Sequence, residues 1–157
     1  LAQARFLLYL GATFASDHFL SENTLGKEQQ FLHQWIRGGD GSDAASTVQS
    51  TRALQRQVLA GFEWLCTVRH GKSTLVNSAV AVSKLCMQLY ELEIVEEESF
   101  LTWSEDTMIN VYTVSTVYGM QYEQAEQMKE YAKPFLDWLA TADEDEEEDD
   151  EEEEENQ

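Results

Sequence analysis

Between Lys72 and Leu92 the apolar residues fall on two stripes rather than one. Leu75, Ala79, Val82, Cys86 and Leu89 recur at helical spacing, and Val76, Val80, Met87 and Tyr90 make a second row on the same cylinder. A helix at the surface of a fold needs one apolar face; a helix with two is covered on both sides and belongs inside a stack. The preceding segment agrees, because Leu54, Val58, Phe62 and Leu65 share one face of a helix predicted from about Ser50 to Arg69. Further helices are predicted at Ala4–Phe19, Leu25–Ile36, Glu96–Ser104 and Tyr122–Ala132.

The breaks between them are short. Gly38-Gly-Asp-Gly-Ser-Asp43 reads as a flexible loop, and Ser46-Thr-Val-Gln49 beyond it has capping-box spacing. His70-Gly71 ends one helix and opens the next. Pro134, the single proline, suits the first turn of a short last helix reaching about Ala142. The β-branched stretch Ile109–Val117 reads as helix or irregular insertion. The expected fold is all-α: antiparallel helical pairs stacked as a HEAT-like α-α superhelix, without a clean internal repeat.

From Asp143 to Glu155 every residue is acidic. Such a run repels itself and buries nothing, so the sequence predicts a helical domain over 1–142 and a disordered acidic tail over 143–157. The run holds thirteen of the 30 acidic residues, leaving 17 against 10 basic ones in the body. Without a Lys/Arg cluster to neutralise phosphates, direct nucleic-acid binding is not expected, nor is an anionic membrane surface. No apolar run approaches the roughly 18 residues that span a bilayer. The opening residues lack an initiator Met and a basic leader and read as cut from a longer chain. Cys66 and Cys86 both sit in apolar helical patterns, so a reduced, cytoplasmic protein without a disulfide framework is expected.

Gly71-Lys-Ser-Thr74 invites a phosphate-loop reading. However, Cys66 stands where the loop needs its first glycine, and the preceding segment reads as helix rather than strand. His18, His33 and His70 are scattered singly, without metal-ligand spacing. No nucleophile elbow or triad order is present. Neither catalysis nor a cofactor is expected.

Two segments interleave acids with large aromatics. The first runs from Tyr90 through Glu91, Glu93, Glu96, Glu97 and Glu98 to Trp103 and Glu105. The second carries Phe135, Asp137 and Trp138 straight into Asp143, Glu144, Asp145, Glu146, Glu147 and Glu148. These are the candidate partner-binding residues, and the partner they suit is cationic. Micromolar affinity needs about 8 kcal/mol, whereas exposed ion pairs supply only about 0.2–1 kcal/mol each. A buried aromatic anchor supplies about 2 kcal/mol or more. Charge to attract and aromatics to hold is the division of labour these numbers favour.

The same residues carry a family resemblance. Tyr90-x-x-x-Ile94-x-Glu-Glu-Glu98-x-x-x-x-Trp103-Ser-Glu105 resembles the first aromatic/acidic box of a two-tryptophan, HEAT-like domain of eukaryotic translation factors. Lys133-Pro-Phe-Leu-Asp-Trp-Leu-Ala-Thr-Ala-Asp-Glu144 resembles the second. Such domains occur in initiation factor 5, in the epsilon subunit of the exchange factor for initiation factor 2, in initiation factor 4G relatives and in mimics of initiation factor 5. The resemblance to the factor 5 domain is strongest over about Leu54–Glu148. It implies a non-catalytic hub whose boxes bind lysine-rich segments of the initiation factor 2 beta subunit, with further contacts to initiation factors 1 and 3 in the preinitiation complex. The alternative it implies is the nucleotide-exchange domain of the epsilon subunit, with Trp138 at the functional edge. Two departures stand out. The Asp106–Glu123 segment is longer than the family's and lacks its basic stretch, and the body shows no strong positive face.

Overall fold

The computed structural model describes residues 2–16, 18–37, 44–66, 78–105 and 122–155, with side chains over 5–16, 18–37, 51–66, 78–105 and 126–142. Among them every regular element is a helix: α1 (Ala2–Thr13), α2 (Thr24–Arg37), α3 (Ala44–Trp64), α4 (Ala79–Glu91), α5 (Glu97–Glu105) and α6 (Tyr122–Glu155). The Gly38–Asp43 loop, His70, the Gly71–Thr74 motif and the Ile109–Val117 stretch lie outside the described residues.

Side-chain pairings give the directions. Phe6 meets Trp35 and Tyr9 meets Phe31, so α1 and α2 run antiparallel. Phe100 meets Phe135 while Trp103 meets Lys129, so α5 and α6 are antiparallel too. Successive pairs instead stack in parallel. Gln55 reaches Ser99 and Glu63 reaches Trp103, which aligns α3 with α5. Ser83 reaches Tyr131 and Tyr90 reaches Trp138, which aligns α4 with α6. Antiparallel within a pair and parallel between pairs is the layout of a HEAT-like array, as the periodicity predicts.

The core runs through all six helices and is centred on Trp103, Phe14, Phe19, Phe62 and Phe100. Val58, Phe62, Leu65, Val82, Cys86 and Leu89, from the two predicted stripes, are buried. The second stripe of α4 is covered only toward its C-terminal end. Met87 and Tyr90 are half-buried there, but Val80, in the first turn, is 80 % exposed. α1 and α3 meet closely at Gly61, where an added Cβ would lie 2.6 Å from Leu10 Cδ1 and 3.0 Å from Phe6 Cε1. Both cysteines are free and buried, and burial above all pushes the Cys86 thiol up to about 12.

Several predicted boundaries move, and α3, predicted to reach about Arg69, ends at Trp64. α1 ends at Thr13 rather than Phe19, because the Ser16 hydroxyl accepts the His18 N–H at 3.1 Å and offers the backbone an alternative to the helix. α3 starts at Ala44, so Ser46–Gln49 lies within the helix; Ala44 and Ala45, the strongest helix formers, extend it. α4 starts at Ala79 instead of near Lys72. Ser78 there adopts extended φ/ψ (−142°, 151°) and its hydroxyl accepts the Ala81 N–H, an N-cap. Finally, Pro134 opens no new helix but lies inside α6. It withholds an N–H from the preceding turn, and in that turn the Ser83 hydroxyl donates to the Tyr131 carbonyl at 3.1 Å.

α6 differs from expectation at its far end as well. The sequence predicts no regular structure beyond Ala142, yet the helical backbone runs to Glu155. The physical reason is that adding residues to an existing helix avoids the nucleation cost, and Glu is a good helix former.

Candidate partner-binding surface

α4 ends in a Schellman motif. The Glu93 N–H bonds the Tyr90 carbonyl at 2.9 Å, and the Ile94 N–H bonds the Leu89 carbonyl at 3.0 Å. Ile94 and Leu89 are both buried, as the motif's apolar contact requires. The left-handed position falls on Glu93, with φ 55°, where glycine is the unstrained choice. α2 fastens the turn from outside: Gln29 Nε2 donates to the Leu92 carbonyl, and His33 Nε2 meets the same oxygen, each at 2.9 Å.

α5 then starts under the control of α3. The Gln55 side-chain oxygen accepts the Glu96 N–H at 3.2 Å and the Ser99 hydroxyl at 2.6 Å, standing in for an N-cap from another helix. Glu97 and Glu98 occupy the first turn, where the macrodipole favours carboxylates. Arg52 spans Glu96 at 3.0 Å and Glu98 at 3.5 Å. Two of the first segment's acids are therefore engaged within the fold.

The aromatics divide as well. Trp103 is fully buried and its indole N–H donates to Glu63, itself fully buried on α3. The Lys129 ammonium lies 6.0 Å from the Trp103 ring and 3.9 Å from Glu126. Loss of solvent raises the Glu63 carboxyl; Lys129 opposes the rise and Glu126 adds to it. This polar cluster joins α3, α5 and α6, and it removes Trp103 from any direct contact with a partner. The sequence signal for it was Trp103 itself, since a buried indole needs an acceptor.

Phe135 is also buried, but in another role. Its ring packs on Phe100 at 4.8 Å and supports a surface pair: Trp138 at 6.0 Å and Tyr90 at 6.2 Å. Tyr90 meets Trp138 edge to face at 5.8 Å. Trp138 remains 43 % exposed. Glu91, next to Tyr90, and Asp137, next to Trp138, are exposed, as are Glu93 and Glu105. The fold thus brings Tyr90, Phe135 and Trp138 together, separates Trp103 from them, and pairs Glu96 and Glu98 with Arg52. Asp143 to Glu148 follow on the same helix as Trp138; their side chains lie outside the described residues.

An exposed ring seated on two others, with carboxylates beside it, suits a cation with an apolar stem. Among the described residues no group of His, Cys, Asp and Glu is placed to hold a metal ion, and no helix is long and apolar enough to cross a membrane. Residues 54–149 match the family model W2: eIF4-gamma/eIF5/eIF2-epsilon. The match takes in the aromatic cluster and the Glu63–Trp103 pair and leaves α1 and α2 outside. No curated protein and no solved structure matches the chain.

Proposed function

Since the chain belongs to the W2 family, whose domains mediate protein–protein interaction in translation initiation factors, we propose that it is a non-catalytic docking domain for lysine-rich segments of the initiation factor 2 beta subunit. The observation that carries this reading is the exposed Trp138, held on Tyr90 and Phe135 by the helix that continues into the acidic run. Lysine stems lie on the aromatic pair, their ammonium groups meet Glu91, Glu93 and Asp137, and the carboxylates of Asp143–Glu155 draw the cationic segment toward that contact. Phe135 holds the pair from beneath, and Trp103 acts only through the fold. Contacts with initiation factors 1 and 3 in a cytoplasmic preinitiation complex belong to the same reading.

The test is a titration against a lysine-rich peptide of initiation factor 2 beta. Trp138→Ala should weaken binding about thirtyfold, the equivalent of about 2 kcal/mol, while the far-ultraviolet helical signal stays that of the folded chain. Truncation after Ala142 should weaken it further at low salt. Unchanged affinity in both variants would sink the proposal. Acceleration of GDP release from initiation factor 2 by the isolated chain would instead select the exchange-factor reading.

A further inference from the structure

The turn between α4 and α5 is held by α2, a helix that the family match leaves outside. α4 is capped by Leu92 (φ −79°, ψ 4°), so the Leu92 carbonyl belongs to the helix end and finds no N–H ahead of it within α4. The amide that a longer helix would supply, the Glu96 N–H, goes instead to the Gln55 side chain. α2 supplies the missing donors. Gln29 Nε2 donates to the Leu92 oxygen, and His33 Nε2, one helical turn on, meets the same atom, each at 2.9 Å. A carbonyl only accepts, so His33 carries its hydrogen on Nε2, and both lone pairs of the oxygen are used.

What these bonds hold is the part of the turn that faces a partner. Leu92 stands between Glu91 and Glu93, whose carboxylates are both exposed. The Glu93 N–H bonds the carbonyl of Tyr90, whose ring meets Trp138 at 5.8 Å. Glu93 itself is left-handed, with φ 55°, a conformation that a residue other than glycine keeps only where its surroundings enforce it. A peptide unit is planar, so fixing the Leu92 oxygen also fixes the Glu93 N–H on the other side of the plane, and with it φ at Glu93. Beside the turn α2 presents a cleft of about 360 Å³ lined by Gln29, Gln30, His33, Gln34 and Arg37. That lining is polar, so the two hydrogen bonds, rather than apolar packing, tie α2 to the Leu92 carbonyl.

We propose that Gln29 and His33 are positioning residues of the docking surface, which set Glu91 and Glu93 for a cationic partner by fixing the Leu92–Glu93 peptide plane from α2. This rests on the docking reading above. Neither side chain touches the partner. Without them the plane turns, Glu93 leaves the left-handed region, and its carboxylate no longer keeps its place beside Tyr90. Exposed ion pairs are individually weak, so the loss is modest and belongs to the charged part of the contact.

The test is a titration of the whole chain with the lysine-rich peptide at low salt. Gln29→Ala with His33→Ala should weaken binding about fivefold, the scale of a few exposed ion pairs. Hydrogen exchange at the Glu93 and Ile94 amides should quicken in this variant, while its circular dichroism stays that of the intact chain. Gln29→Ala with His33→Gln, which returns one donor, should recover most of the affinity. Charge separates this role from a merely structural one: once Glu91→Gln and Glu93→Gln are in place, the double alanine substitution should change the affinity no further. Equal weakening in that background overturns the proposal, because the two residues would then act through the fold and not through the carboxylates. So does unchanged affinity of the double alanine variant beside a Trp138→Ala control that loses binding, an outcome that leaves the docking reading standing. If neither Trp138→Ala nor truncation after Ala142 weakens binding, the docking reading itself fails and takes this proposal with it.

Discussion

Glu93 and Glu63 are the residues whose conformation or environment works against their chemistry. Glu93 occupies a left-handed turn position with an exposed carboxylate. A non-glycine residue there costs roughly 1 kcal/mol, and such strain gathers at functional sites. Glu93→Gly should therefore raise stability by about 0.5–1 kcal/mol while weakening lysine-peptide binding at low salt, read by urea unfolding and by titration on one sample. A gain in stability with no loss of binding would make the position structural only. Glu63 has its carboxyl raised from 4.5 to about 8, burial being the first cause. The folded state then binds the extra proton, so this residue's contribution is full below about pH 4.5 and is lost as pH climbs toward 8. Glu63→Gln keeps the shape and removes the titration. The stability difference, native minus variant, should fall by on the order of 1–3 kcal/mol between pH 5 and pH 8.5; a constant difference would refute the assignment. Neither environment was read from the sequence, although a buried Trp103 implies an acceptor for its indole N–H. Phe100 with Trp103 and Phe135 with Trp138 share the same i, i+3 spacing, yet Trp103 is buried and Trp138 exposed. What separates them is the presence of α3 over one and its absence over the other.

At the level of elements, periodicity was a sound guide because burial imposes it: among the described residues the helices lie in the expected order, the last two predicted ones fused into α6, with their apolar stripes mostly inward. The misread boundaries are those set by single side chains acting at a distance or against a propensity rule. Ser16 truncates α1, Ser78 delays α4, and Pro134 is accommodated inside a helix that packing on α4 holds on both sides. The acidic end of α6 is the element most open to experiment. Its thirteen carboxylates oppose the macrodipole at a helix C-terminus and repel one another at i, i+4, while the packed half supplies the nucleus. Helicity over 143–155 should therefore be limited by charge. Lowering the pH from 7 to about 4, or adding polylysine, should increase the far-ultraviolet helical signal of the full chain, by at most the contribution of those thirteen residues. A chain ending at Ala142 should show no such gain. Equal responses from the two chains would place the change in the body instead.

Across the whole molecule, charge and apolar contact are distributed so that they act at different stages of association. The acidic run leads away from Trp138 along one helix, so its field extends beyond the contact it serves, whereas the Trp138–Tyr90 pair acts only once a partner touches it. Long-range charge changes the rate of encounter and is screened by salt; a desolvated aromatic contact changes the rate of escape. The two should separate in stopped-flow measurements with a lysine-rich peptide. Truncation after Ala142 should lower the association rate constant about tenfold at low ionic strength and leave dissociation nearly unchanged. Trp138→Ala should raise the dissociation rate constant about thirtyfold with little effect on association. Raising salt should make the intact chain associate at the rate of the truncated one, because screening and deletion remove the same field. If truncation instead speeds dissociation as strongly as Trp138→Ala does, the carboxylates are part of the bound contact rather than a guide to it, and the acidic helix would have to lie against the partner along its length.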